Sequence, residues 1–127
     1  MKLIRDLTFI HEMKNKRKVG EKGEQWAVNH LVAKGYEIVH RNYQASRYEI
    51  DIIARDGDWL VFVEVKLRGD QEHGLPEDNA GKSKQNFLIK GADIYLNQHD
   101  WQGKVRFDLI AITVKPFEIV HFEDAFY

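Results

Sequence analysis

The chain has no cysteine, which excludes disulfides, thiolate nucleophiles and cysteine-ligated zinc or iron–sulfur sites. Net charge is nearly absent too. With 19 Lys and Arg against 20 Asp and Glu the balance is −1, so the field of the whole molecule does not favour a polyanion. Any nucleic-acid binding must then rest on local basic patches. No run is long and apolar enough to span a membrane, and Asp6, His11 and Glu12 interrupt the apolar residues of the N-terminus, which makes it a poor signal peptide. A cytoplasmic protein with no membrane partner is expected. Internal repeats and low-complexity segments are also missing.

Several catalytic motifs fail on inspection. His11-Glu12 opens like the zinc-protease signature, but Asn15 stands where the second histidine is required. Gly81-Lys82-Ser83 resembles the end of a phosphate-binding loop, yet Pro76 replaces its first glycine. His30, His40, His73, His99 and His121 show no metal-ligand spacing, and no serine–histidine–acid arrangement is present.

What is present is charge inside strands that otherwise read as buried. Ile50, Ile52 and Ile53 surround Glu49 and Asp51, and Trp59-Leu60-Val61-Phe62-Val63 lead into Glu64-Val65-Lys66. Desolvating these groups is costly unless they meet a cation or each other. Asp56-Gly57-Asp58 signals a hairpin between the runs, and Gly57 at the first central position predicts a type II′ turn. That register sets Asp51 opposite Glu64 and Glu49 opposite Lys66, all four on one face. Directly opposed Cβ atoms lie roughly 4.5–5.5 Å apart, close enough for two carboxylates to hold one divalent ion. A shift of one residue would put Asp51 and Glu64 on opposite faces.

At 127 residues and 43% hydrophobic the chain has material for one core. An N-terminal arm, residues 1–19, is expected to carry a short helix at 3–13 and a basic run of Lys14, Lys16, Arg17 and Lys18 as its connection. An alternating α/β domain would fill residues 20–127. Helical spacing of Gly23, Ala27 and Leu31 predicts a helix over 20–34, stopped by Gly35. Strands are expected over 36–43, 48–55 and 59–67, a loop over 68–79, a helix over 81–97, and strands over 105–114 and 118–122. The basic run reads as a solvated tail or a DNA contact. Arg41 with Arg47 and Lys82 with Lys84 form smaller basic groups beside the acidic strands.

Helix, three strands, helix and strand, with Asp and Glu-x-Lys on strands two and three, is the motif order of the PD-(D/E)xK nucleases, the restriction-endonuclease-like fold. The likeness is closer than fold level. Gly20, Gly23-Glu24, Ala27, Leu31, Gly35-Tyr36, Arg41-Asn42, Glu49 to Ile53, Phe62 to Lys66, Arg68, Lys84-Gln85, Ala92, Tyr95-Leu96, Arg106-Phe107-Asp108 and Ala125-Phe126 resemble the bacterial YraN-type family. That family is usually described as endonuclease-like and akin to archaeal Holliday-junction resolvases. Tyr48 departs from it, because a glycine commonly precedes the Glu-Ile-Asp unit there.

The resemblance implies a metal-dependent DNA endonuclease with a three-layer fold, and branched DNA is among the substrates it suggests. Asp51, Glu64 and the Val65 backbone carbonyl would hold Mg²⁺ or Mn²⁺, hard cations that take oxygen ligands. Lys66 would position the attacking water or stabilise the charge on the phosphate. Glu24 corresponds to the helix carboxylate of the resolvase-like enzymes. Arg68, Lys82, Lys84 and Gln85 are candidates for contact with nucleic acid. A homodimer is one way for such a chain to cut two strands. The alternative is a nucleic-acid-binding or partner-binding module that keeps the fold without turnover.

Simpler roles stand beside these. Glu49 and Lys66 read as a cross-strand ion pair in preference to Glu49 as a metal ligand. Glu24 also reads as a first-turn carboxylate satisfying the helix dipole. Arg106 and Asp108 read as structural, and Trp26, Trp59 and Trp101 as packing or rim residues rather than stacking platforms.

Overall fold

The computed structural model describes residues 16–68 and 81–125. The first helix, α1, spans Lys16–Ala33 and buries Ala27 and Leu31 completely on its inner face. Its end is fixed by backbone bonds from Gly35 N to Val32 O (2.9 Å) and from Tyr36 N to Leu31 O (3.0 Å), the paired bonds of a Schellman stop. The described helix reaches back to Lys16, ahead of the glycine at 20, in keeping with the helix propensity of Lys and Arg. Lys16, Arg17 and Lys18 are therefore helical, not a connection. Glu24 lies well past the first turn, which contains no acidic residue, so it does not cap the helix dipole as expected.

Four further elements follow the expected order: β1 (Glu37–Ala45), β2 (Tyr48–Asp56), β3 (Trp59–Arg68) and α2 (Gly81–His99). The chain closes with β4 (Lys104–Val114) and β5 (Phe117–Phe122). The expected helix at 3–13, the loop at 69–79, Lys14 and the Lys82 side chain lie outside the described residues. Arg68, expected to open that loop, is instead the last residue of β3.

The five strands form one mixed sheet in sequence order. Every pairing is antiparallel except β3 with β4, whose parallel register is reached through α2. One face carries Ile52, Ala54, Val61, Val63, Ile110 and Ile112 against Ala27 and Leu31 of α1. The other carries Ile50, Ile53, Leu60, Phe62 and Leu109 against Leu88, Ala92 and Tyr95 of α2. Helix, sheet and helix thus make the three layers of a restriction-endonuclease-like fold, and burial on both faces explains why β2 and β3 read as nearly continuous apolar runs.

A polar network is buried on the α1 side of β4. Asp108, with no exposed surface, accepts two bonds from Arg106, through Nε and Nη2 at 2.9 Å each, and one from the Asp124 backbone N–H at 3.0 Å. His121 Nε2 lies 2.8 Å from the same carboxylate, and Arg106 Nη2 also donates to the Tyr36 hydroxyl at 2.6 Å. These partners hold the Asp108 carboxyl below its ordinary pKa despite burial, His121 first among them. The network ties β4 to β5 and to Tyr36 just ahead of β1, the structural part expected of Arg106 and Asp108.

Candidate functional site

The hairpin register is the one the turn predicts. Asp56 pairs with Trp59, Ala54 with Val61 and Ile52 with Val63, and Gly57 takes the left-handed φ of 61° that the first central position of a type II′ turn requires. Continued, this register opposes Asp51 to Glu64. The paired ladder, however, stops at Ile52 and Val63. In place of the next main-chain bond, Asp51 Oδ2 accepts the Val65 backbone N–H at 2.9 Å. The N–H and C=O of one strand residue point to the same side, so the Val65 carbonyl is turned toward the same opening.

The other side of Asp51 is irregular as well. Arg41 pairs with Ile52 and Tyr43 with Ile50, which leaves Asn42 opposite Asp51, and Asn42 has a left-handed φ of 50° inside a strand. Alternation also breaks here, since Ile52 belongs to the α1 core and Ile50 to the α2 core although two residues should share a face. Distortion of this kind in mid-sheet costs free energy and is concentrated where a side chain must be re-aimed. Here that side chain is Asp51.

Asp51 and Glu64 line one cavity of about 480 Å³ under the start of α2, together with Glu49, Ser83 and Lys84. Burial first, and then the Glu64 charge, raise the Asp51 pKa to about 7, with the Val65 N–H opposing the shift. Glu64 is also raised by burial, against the pull of Lys84 and then of Lys66. Lys84, named from sequence only as a phosphate contact, is thus the leading cation at Glu64. Its nearness depends on how α2 docks, which no local pattern encodes.

The expected Glu49–Lys66 ion pair is not formed among the described residues. The ladder ends before those positions can oppose one another, and Glu49 instead lines the cavity and raises Asp51 and Glu24 through its charge. Lys66 acts on Glu64 through its charge, without an ion pair within 4.0 Å. Gln85 is half-buried on α2 and Arg68 ends β3, while Lys84 is exposed at the cavity.

Glu24 comes close enough from α1 to raise the Asp51 pKa. It is 7% exposed, and its Oε1 accepts from Asn42 Nδ2 at 2.9 Å and from Arg41 Nη2 at 3.3 Å. Burial raises its own pKa, Arg41 and Asn42 offsetting part of the effect. The left-handed Asn42 thereby joins Asp51 to Glu24. Sequence reasoning assigned Asn42 no role; its only signal was the Arg41-Asn42 pair among the family-like residues.

Among the described residues no group of three or more His, Asp or Glu side chains converges as a metal cage. The oxygens at this opening, two carboxylates and one carbonyl, are the donor set that the sequence led us to expect. An oxygen-only set of that size suits Mg²⁺ or Mn²⁺, which keep much of their shell as water or phosphate oxygen. Among the same residues, no helix is long and apolar enough to cross a membrane.

Residues 23–112 match the model of the uncharacterised protein family UPF0102, a span that contains Glu24, Asp51, Glu64 and Lys66. A UPF0102 protein of Chlorobium limicola is 43% identical over 118 residues, covering 86% of this chain and 92% of its own length. One from Dictyoglomus turgidum is 41% identical over 103 residues (80% and 87%), and one from Thermodesulfovibrio yellowstonii is 41% identical over 109 (86% and 96%). A family match across most of the domain, joined to relatives of nearly the same length, makes this chain a member of UPF0102, the YraN-type family.

Proposed function

We propose that the protein is a metal-dependent endonuclease that hydrolyses phosphodiester bonds in DNA. The observation that carries this reading is the opened hairpin, in which Asp51 gives up strand pairing to take the Val65 N–H and faces Glu64 in a solvent-reachable cavity. Burial, and after it the like charge of Glu64, raise the pKa of Asp51 to about 7, a penalty that a divalent cation relieves.

Asp51, Glu64 and the Val65 carbonyl would hold Mg²⁺ or Mn²⁺. When bound, the ion supplies charge neutralisation at the phosphate and a lowered pKa for water. Hydrolysis joins a water oxygen to phosphorus while one ester P–O bond breaks; the water's proton leaves to a base and the departing oxygen gains one. Lys84 and Lys66 would stabilise the added negative charge on the non-bridging oxygens, Lys84 from the cavity wall and Lys66 from β3. Glu24, with a raised pKa and close to Asp51, is a candidate to hold a water or accept its proton. Arg68 and Gln85, with Lys82, would contact the flanking phosphates.

The test is a cleavage assay over linear, nicked, flapped and four-way DNAs with Mg²⁺ and Mn²⁺ supplied separately. Metal-dependent cutting of at least one member is expected. Purified protein that binds neither ion by calorimetry and cuts none of the panel overturns the reading.

A further inference from the structure

Beside the carboxylates, the same cavity has an aromatic wall that phosphate hydrolysis does not need. Phe87, 45% exposed, stands on α2 one turn beyond Ser83 and Lys84, and therefore on their face of the helix. It meets Tyr48 of β2 edge to face, with ring centroids 4.5 Å apart at 72°. The Arg47 guanidinium lies over both rings, 5.4 Å from Tyr48 and 5.9 Å from Phe87. The elements are tightly apposed at this point, since a Cβ placed at Gly91 would come 3.1 Å from that of Tyr48.

A half-exposed ring paired with a second ring and a guanidinium offers a flat apolar face to a ligand. Here it lies under the Arg47 guanidinium and shares the cavity lining with Lys84. Tyr48 precedes Asp51 by three residues, about 10 Å of extended strand. A flat π-face, cations and a phosphate site at that spacing match the parts of a nucleotide. Base–aromatic stacking requires that the base be out of a duplex stack.

We propose that Phe87, Tyr48 and Arg47 form a platform for an unpaired nucleobase, so that the preferred substrate is single-stranded DNA or the unpaired segment of a branched one. The inference rests on the DNA-directed reading of the Asp51–Glu64 site, but it concerns binding and not turnover. Phe87 receives the base face and Tyr48 braces the ring edge-on. Arg47 adds a cation to the stack and faces the adjoining phosphate.

The experiment measures binding in excess chelator, so that no cleavage is involved. The probes are an oligonucleotide containing 2-aminopurine, a flapped duplex with the same base unpaired, and a perfect duplex. Stacking quenches 2-aminopurine emission, and wild type should quench the two unpaired probes and bind them more tightly than the duplex. Phe87→Leu keeps an apolar side chain but removes the π-face; it should weaken single-strand binding by about 5- to 150-fold, leaving duplex affinity unchanged. Phe87→Ala should behave alike, and circular dichroism spectra should show both variants folded at the assay temperature. Wild type that leaves the probe unquenched, or Phe87→Leu that binds single strands as wild type does, overturns the platform. Either result leaves the metal chemistry to its own cleavage assay, and absence of cleavage there leaves a quenched probe in place.

Discussion

Asp51 Oδ2 accepts the Val65 N–H at 2.9 Å where a continued hairpin would have offered a main-chain carbonyl. One side-chain bond thus ends the ladder, keeps Asp51 and Glu64 at the opening and turns the Val65 carbonyl toward them. The price appears in the titration of Asp51, whose pKa stands at about 7 because burial and Glu64 both resist its charge.

Stability should record that shift. A carboxyl whose folded pKa lies above its unfolded value of 3.8 stabilises the fold when protonated, and the contribution is lost as pH rises toward about 7. Asp51→Asn removes the dependence. In chelator at pH 8 it should be more stable than wild type by on the order of 2 kcal/mol, with little difference near pH 4, as read by urea denaturation. Mg²⁺ should stabilise wild type and not the variant.

Proton and metal should compete at the same oxygens. Calorimetric titration with Mn²⁺ is expected to show affinity falling by up to about tenfold per pH unit below 7, with protons released on binding. Affinity that does not change between pH 5 and 8 would place the ion elsewhere.

Glu24 should be felt at Asp51 without contact. Glu24→Gln keeps an acceptor for Arg41 and Asn42 but removes a charge that raises Asp51. The Asp51 carboxyl followed by NMR should titrate at a lower pH in the variant. Glu24→Ala, which strips both donors of their acceptor, should cost about 1–3 kcal/mol as well.

The Asp108 network should govern stability alone. Asp108→Ala leaves the buried Arg106 guanidinium with only the partly exposed Asp56 carboxylate at 3.3 Å and should cost about 3 kcal/mol in denaturant melts. Metal binding at temperatures where the variant stays folded should match wild type. The native Asp108 pKa is lowered, so its stabilisation is present above 3.8 and fades as pH falls below it, opposite in sign to that of Asp51.

Much of this was legible in the residues because it is local. Asp56-Gly57-Asp58 determines the turn and the turn determines the register, so the pairing from Asp56–Trp59 to Ile52–Val63 needs no tertiary information. What escaped depends on contacts distant in sequence or on a side chain displacing the backbone. Glu49 and Lys66 would oppose one another only if that register continued, but the ladder ends at Ile52 and Val63 and the Val65 N–H goes to the Asp51 carboxylate. Lys84 reaches Glu64 only through the docking of α2, and His121 finds Asp108, His30 and Lys34 across three separate elements. Asn42 gave no warning of a left-handed backbone within a strand pattern. The tryptophans read as packing or rim residues, and no aromatic was singled out beside the acidic strands, where Phe87 lines the cavity with Tyr48 against it.

The most direct measurement is single-turnover cleavage of the DNA panel by wild type and by Glu64→Gln, each with Mg²⁺ and with Mn²⁺. The variant keeps size and hydrogen-bonding capacity but removes the charge that a hard cation needs. Cleavage should fall by at least about a hundredfold, into background, while metal-free DNA affinity holds or rises with one negative charge gone. A Glu64→Gln protein that cuts as wild type does would contradict the assignment of this site.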